Sequence, residues 1–265
     1  MISFPQLGHL GRLGNQMFQY ALLVGVAERH GYDIVIPNDV LEGFRLSSHR
    51  LPRNSIPSPT HVFNESVPAW SFDSQALEQP DGTGFNGYFQ SHRYFEHAST
   101  RVRDEFRFSL EIEYKSQCWI EQISQRATER PVIAMHVRRG DYLQSPNYHC
   151  AFDLNYFHSA RRAMDIDGAL LVILSDDLPW VHMNLSQIDN LDSFILSDPD
   201  PMICLCVVSR SCQHTICSAS SLSWWAAWLN ASTDARVVIP DRWYGSEFGS
   251  PETENQMSPP AWIRA

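Results

Sequence analysis

Arg138, Arg139 and Asp141 close an apolar run, Val132-Ile133-Ala134-Met135-His136-Val137, in which β-branched residues recur. Such a run reads as a buried strand. Ligands of α/β proteins bind beyond the carboxyl ends of parallel strands. Guanidinium groups at such an end suit an anion, because their rigid fork of donors matches phosphate oxygens and stays charged at any working pH. A strand followed by a surface salt bridge among Arg138, Arg139 and Asp141 accounts for this segment by itself. Two further strand ends shift the balance. Leu170-Leu171-Val172-Ile173-Leu174 runs into Ser175-Asp176-Asp177, and His214-Thr215-Ile216-Cys217 runs into Ser218-Ala219-Ser220-Ser221 at the start of a helix. On one edge of a parallel sheet the three ends line one crevice. Arg138 there neutralises a diphosphate. Ser220 and Ser221, with the open N–H groups of a helix start, cradle an anion. Asp176 accepts hydrogen bonds from a ribose or a purine. Together these features predict a nucleotide-diphosphate site.

A second loop carries its own signal. Gly8-His9-Leu10-Gly11-Arg12-Leu13-Gly14-Asn15-Gln16 spaces three glycines three apart, which lets backbone turn tightly beside a ligand. The spacing differs from the dinucleotide fingerprint, and the loop lacks the ending of a P-loop. Residues 16–29 form a helix that is apolar nearly all round, with Asn15 as its N-cap and Gly31 at its stop. Strands at 2–4 and 33–37 flank it. Residues 38–85, rich in Pro, Ser, His and Asn, predict irregular structure with short elements and an acceptor-binding surface. Gly87–Ser91 reads as a short aromatic strand, and 93–107 and 110–127 as helices. Thr128–Pro131 is the expected boundary between halves 1–130 and 131–265, with the C-terminal tail free to pack back on the first half. Beyond it, strands at 132–137, 170–174, 193–196, 214–217 and 237–240 alternate with helices at 153–165, 178–184, 200–210 and 222–229. That alternation predicts a parallel, doubly wound sheet.

Composition narrows the function class. The chain has 265 residues, 43% hydrophobic and 19% charged, enough for one large domain or two smaller ones. A formal net charge of -10 argues against nucleic acid, which demands a basic face. No run reaches the roughly 20 apolar residues of a membrane span, and Met1-Ile2-Ser3-Phe4-Pro5 lacks the pattern of a secretory signal. The six cysteines form no C-x-x-C pair and read as reduced thiols. Asn64, Asn184 and Asn230 head N-x-S sequons that carry no weight without a signal.

Four segments carry a family likeness: Gly11–Ala21 (G-R-L-G-N-Q-M-F-Q-Y-A), Gly87–Ser91 (G-Y-F-Q-S), His136–Tyr142 (H-V-R-R-G-D-Y) and Ser220–Leu229 (S-S-L-S-W-W-A-A-W-L). In type and order they resemble the bacterial-type α-1,2-fucosyltransferases of glycosyltransferase family 11, over nearly the whole chain. A commoner spelling of the last motif has Phe and Gly where this chain has Leu222 and Ala226; both changes are apolar. The resemblance implies a GT-B fold, two Rossmann-like α/β halves with parallel sheets facing a cleft. The second half then holds GDP-fucose and the first presents the acceptor. It implies an inverting reaction that needs no metal and no cofactor. Asp198-Pro199-Asp200, a D-x-D-like string, reads as a helix start rather than a metal site. By the same resemblance Arg138 binds the diphosphate and meets the charge growing on GDP. His136 and Asp176 contact guanine or ribose, Ser220 and Ser221 contact phosphate, Asp141 holds the arginines, and Arg139 serves the fold. Arg12 and Asn15 reach the reacting centre from the first half.

The implied reaction joins fucose to the 2-hydroxyl of a terminal β-galactoside. Its general base stays open between Asp141, His9 and a phosphate oxygen of the donor. Three alternatives stand beside it. A GDP-fucose transferase of other acceptor or linkage shares every motif. A non-catalytic glycan binder has no use for a diphosphate site, and an NTP-hydrolysing switch lacks its P-loop lysine. The absence of a membrane anchor predicts a cytoplasmic enzyme working on a lipopolysaccharide or other surface-glycan precursor, with peripheral attachment to the inner membrane left open.

Overall fold

The computed structural model describes residues 1–66, 68, 71–185, 192–245, 247 and 256–265. Two compact units divide the chain: Met1–Ser109 with Thr253–Pro259, and Leu110–Glu252 with Pro260–Ala265.

In the first unit, β1 (Ile2–Ser3), α1 (Leu13–His30), β2 (Ile34–Pro37), β3 (His49–Leu51), β4 (His61–Asn64) and β5 (Thr83–Asn86) precede α2 (Ser99–Glu105). The strands form a parallel sheet in the order β3-β2-β1-β5-β4. Helix α1 is buried along nearly its whole length, Met17 to Ala27, as its uninterrupted apolar sequence requires. Gly31 ends it in the left-handed conformation (φ 73°), its N–H bonding to the Ala27 carbonyl.

Three local expectations are corrected here. The N-cap of α1 is Arg12, and Asn15 lies in the first turn. Gly87–Ser91 is not a strand: β5 ends at Asn86, and Gly87 (φ 150°) and Phe89 (φ 51°) leave the extended region. Residues 93–107 are not one helix. They break into 3₁₀ turns at His92–Tyr94 and Glu96–Ala98 before α2. Tyr94 and Phe95, at the junction of the two turns, are both fully buried. Within 38–85, β3, β4 and β5 are real but short; positions 67, 69 and 70 of that stretch lie outside the described residues.

The second unit begins with α3 (Leu110–Ala127). Then follow β6 (Val132–Val137), α4 (Leu154–Met164), β7 (Leu170–Ser175), α5 (Leu178–Asn184), β8 (Ser193–Leu196), α6 (Pro201–Ser211), β9 (His214–Ile216), α7 (Ser221–Trp228), β10 (Val237–Ile239) and β11 (Ile263–Arg264). The division falls at Ser109–Leu110, ahead of the Thr128–Pro131 turn, because α3 belongs to this unit. Its Glu113 pairs with Arg210 of α6, its Trp119 indole donates to Asp198, and its Arg126 pairs with Asp192. The sheet is parallel throughout, in the order β11-β10-β9-β6-β7-β8.

Period-2 alternation along β6 sorts its side chains. Ile133, Met135 and Val137 enter a core with Tyr156, Phe157, Ala160 and Met164 of α4. Each such fully buried large side chain contributes about 1.5–3 kcal/mol. Ala134, His136 and Arg138 therefore take the other face. Four of the six cysteines, Cys204, Cys206, Cys212 and Cys217, are buried. Among the described residues no helix is long and apolar enough to cross a membrane.

Both sheets have a topological switch point. In the second, β6, β7 and β8 step one way, while β9, β10 and β11 step the other from beside β6. In the first, β1, β2 and β3 step one way and β5 lies on the other side of β1. The crevices of doubly wound sheets open at such points, beyond the carboxyl ends of the two flanking strands.

Candidate active site

At the switch point of the second sheet the segments after β6 and β9 meet. His136 Nδ1 lies 2.6 Å from the Ser218 hydroxyl, joining the two strand ends directly. Burial of the imidazole, with the Arg138 charge beside it, lowers the His136 pKa to about 4, against a smaller upward pull from Asp176. His136 is therefore a neutral hydrogen-bonding ring at physiological pH.

Arg138 lies two residues on, on the same face. Its guanidinium is clamped between carboxylates: Nη2 to Asp141 Oδ1 at 2.5 Å and Nη1 to Asp176 Oδ2 at 2.9 Å. Asp176 Oδ1 also accepts the Arg139 backbone N–H at 2.9 Å, so one carboxylate ties the end of β7 to the turn after β6. Gly140 makes this possible, since a Cβ there would stand 2.5 Å from Asp176 Oδ2. The Arg138 side chain is only 17% exposed, and its guanidinium carbon sits 5.2 Å from the Tyr142 ring centroid. Tyr142 donates its hydroxyl to the Ala219 carbonyl at 2.9 Å and stacks on His149 at 4.3 Å. The clamp uses only some of the five N–H donors of Arg138 and orients the rest. A donor fork held in place before a ligand arrives spends no reorganisation when charge develops.

Arg139 turns to the opposite face, as alternation demands. It bonds the Phe152 carbonyl at 2.6 Å, pairs with Asp177 at 3.3 Å and lies 4.3 Å above the Trp180 ring. That is a packing role.

Ser220 is the N-cap of α7, buried and without a side-chain capping bond, and Ser221 is its first helical residue. The hydroxyl that closes this turn belongs instead to Ser223, which donates to the Ser218 and Ser220 carbonyls. N–H groups in the first turn of a helix have no intrahelical partner, so this end favours an anion. Below it a cavity lined by His136, Leu174, Cys204, Thr215, Leu222 and Ala226 lies between the sheet and helices α6 and α7. The buried Thr215 hydroxyl has no hydrogen-bond partner there.

His136, Arg138, Asp141, Asp176, Ser220 and Ser221 thus share one sheet edge. Arg12 and Asn15 lie in the other unit, at its own switch point. His149 carries no signal in the sequence, whereas Ser218 and Tyr142 stand inside segments that do, though without a role of their own. Tyr142 closes the H-V-R-R-G-D-Y motif, which was a usable signal; the partners of Ser218 and His149 depend on tertiary placement. Asp198 and Asp200 act as a helix start, as expected: Asp200 accepts the Met202 N–H, and Asp198 accepts the Asp200 N–H. Among the described residues no group of three or more His, Cys, Asp or Glu is placed to hold a metal ion.

The model of the family described as glycosyl transferase family 11 matches residues 6–265. The chain is 27% identical over 135 residues to an Escherichia coli protein named O-antigen biosynthesis glycosyltransferase WbnK, covering 49% of this chain and 43% of that one. It is 26% identical over 258 residues to human galactoside alpha-(1,2)-fucosyltransferase 1, covering 90% of this chain and 68% of the relative. Among solved structures, NodZ alpha-1,6-fucosyltransferase soaked with GDP-fucose aligns with a TM-score of 0.53 at 13% identity, over 94% of this chain and 95% of that one. POFUT1 in complex with GDP-fucose aligns at 0.52 and 10% identity, over 89% and 96%. These likenesses bear out the GT-B-type α/β fold of two parallel-sheet units.

Proposed function

The chain belongs to glycosyl transferase family 11, and from that membership we propose that it transfers L-fucose from GDP-β-L-fucose to the 2-hydroxyl of a terminal β-galactoside. The observation that carries the reading is Arg138, clamped between Asp141 and Asp176 at the switch point beside the N-terminus of α7. The names of relatives across 90% of the chain support the α-1,2 linkage.

In this reading the second unit holds the donor. Arg138 and the first turn of α7, with Ser220 and Ser221, meet the diphosphate, and His136 and Asp176 meet guanine or ribose. As the glycosidic bond stretches, fucose gains oxocarbenium character and negative charge collects on GDP. Prealigned donors that bind this charge more tightly than the ground state lower the barrier. The galactose hydroxyl attacks from the opposite face, so the β-linked donor yields an α-linked product. The first unit, with Arg12 and Asn15, serves the acceptor side. The proton of the attacking hydroxyl passes to Asp141, to His9 or to a donor phosphate oxygen. No metal enters this scheme, in keeping with the capping work of Asp198 and Asp200. The likeness to an O-antigen glycosyltransferase supports a surface-glycan precursor as substrate.

A second reading keeps the donor and changes the linkage, since a protein named as an α-1,6-fucosyltransferase shares the fold. One experiment addresses both: GDP release from GDP-fucose in EDTA, with and without a panel of β-galactosides, followed by linkage analysis of the product. Galactoside-stimulated release that persists in EDTA and falls roughly 10²–10³-fold in Arg138→Ala is the expected result. Failure of the protein to bind GDP-fucose would overturn the proposal, and a non-2-linked product would select the second reading.

A further inference from the structure

At the switch point of the first sheet, the glycine loop after β1 and the Gly87–Ser91 loop after β5 are fastened together by side chains. Gln19 of α1 donates to the carbonyls of Leu10 and Gly87, each at 3.1 Å, and Gln90 Nε2 donates to Asn15 Oδ1 at 2.6 Å. The anchor of the second loop is Glu65, just beyond β4. Its Oε2 accepts the Tyr88 N–H at 2.7 Å and its Oε1 the Phe89 N–H at 2.8 Å. Both carboxylate oxygens are thus spent on one turn of backbone, in which Phe89 carries a left-handed φ of 51°. A Cβ on Gly87 would stand 2.4 Å from the Glu65 Cβ, so side chain and loop are packed as one piece. Phe89 is fully buried, whereas Tyr88 is 38% exposed. The loop therefore drives Phe89 into the core and leaves Tyr88, the residue before it, partly exposed, two positions ahead of Gln90 with its bond to Asn15.

We propose that Glu65 is a positioning residue for the saccharide acceptor, holding Gly87–Ser91 so that Tyr88 and the Gln90–Asn15 pair form a sugar-binding edge. An exposed aromatic ring offers its face to the apolar side of a pyranose and its hydroxyl to a sugar hydroxyl. Asn15 adds amide donors whose direction is fixed by Gln90. This rests on the transferase reading above and adds a residue that belongs to none of the four family motifs.

The carboxylate works in an unusual setting. Burial pushes the Glu65 pKa up to about 7, although the two N–H bonds pull it down. The ionisable groups around it are the Tyr94 phenol, itself raised by burial and by the charges of Glu65 and Asp73, with Asp73 and Arg93 beyond. Protonation of Glu65 replaces one acceptor by a donor and loosens one N–H bond to the loop.

The test is the kinetics of Glu65→Gln with GDP-fucose and lactose, alongside GDP-fucose binding by calorimetry. Gln keeps the shape but turns an N–H₂ toward one of the two backbone N–H groups. The acceptor KM should rise about tenfold, the worth of one charge-assisted hydrogen bond. The kcat and the affinity for GDP-fucose should stay within about threefold. In the wild type the acceptor KM should rise as pH falls through about 7, and in Glu65→Gln that rise should vanish. Tyr88→Ala, on an exposed side chain, should reproduce the KM effect without altering the fold. An unchanged acceptor KM and an unchanged pH profile in Glu65→Gln, with GDP-fucose bound normally, would sink the role of Glu65 alone. Absence of GDP-fucose binding in the wild type would sink the transferase reading and this inference together.

Discussion

At the scale of single residues, the site is governed by which charges are paired and which groups are kept neutral. Arg138 is charged and doubly paired, whereas His136 is held neutral by its surroundings. The consequence for stability has a definite sign. The His136 pKa is about 4 in the folded protein, below the ordinary value of 6.5, so the unfolded chain binds the extra proton first. The resulting stabilisation is complete above about pH 6.5 and is lost as pH falls toward 4. We expect chemical denaturation to show His136 contributing a loss on the order of 2–3 kcal/mol across that window. His136→Gln should flatten that part of the profile; an unchanged slope would mean that the ring is not desolvated.

At the scale of elements, α1 illustrates how closely a buried helix must approach its neighbours. Gly25 lies where a Cβ would stand 2.0 Å from the Tyr94 carbonyl oxygen, a backbone atom that cannot swing away. The His97 imidazole also bonds to the Gly25 carbonyl at 2.9 Å. Gly25→Ala should therefore destabilise the protein by about 1–3 kcal/mol through overpacking, despite the better helix propensity of Ala. A urea titration that finds Gly25→Ala neutral or stabilising would show that the 3₁₀ turn at His92–Tyr94 can shift aside. The second sheet makes the complementary point, since α7, which carries three tryptophans, is fastened on β9 by its own first turn. Cys217, Ser218, Ala219 and Ser220 are all buried immediately before it.

At the scale of the whole molecule, the chain's last residues serve both units in turn. Gln256 and Met257 belong to the first, where the Gln256 carbonyl takes the Ser91 hydroxyl and the Met257 carbonyl takes the His92 N–H. Ile263–Arg264 then pairs with β10 as the outer strand of the second sheet, closed by bonds between Ala265 and both Ile239 and Asp241. Met257 is 1% exposed, so Met257→Ala should cost about 2–5 kcal/mol, as other large-to-small core changes do. Hydrogen exchange should report faster opening at residues 91–95, with β6 and β7 little affected. Uniform loosening of both sheets would instead show that the two units unfold as one.

The alternation of strands and helices in the second half was legible from sequence, because hydrophobic periodicity is local and each run is bounded by its own polar or glycine punctuation. The same is true of the strand ends that carry Arg138, Asp176 and Ser220. The opposite fates of Arg138 and Arg139 were legible in principle, since a period of two sends neighbours to opposite faces. The break at Gly87 and the broken 93–107 segment were hidden, because aromatic residues suit strand, turn and core alike. Only the tertiary structure decided that Glu65 holds a loop 23 residues away and that His136 meets Ser218 across 82 residues. The order of the strands, and with it the location of both switch points, also came from folding. Local pattern specifies what each segment becomes, whereas contacts between distant segments depend on which strand lies beside which, and no window of sequence contains that information.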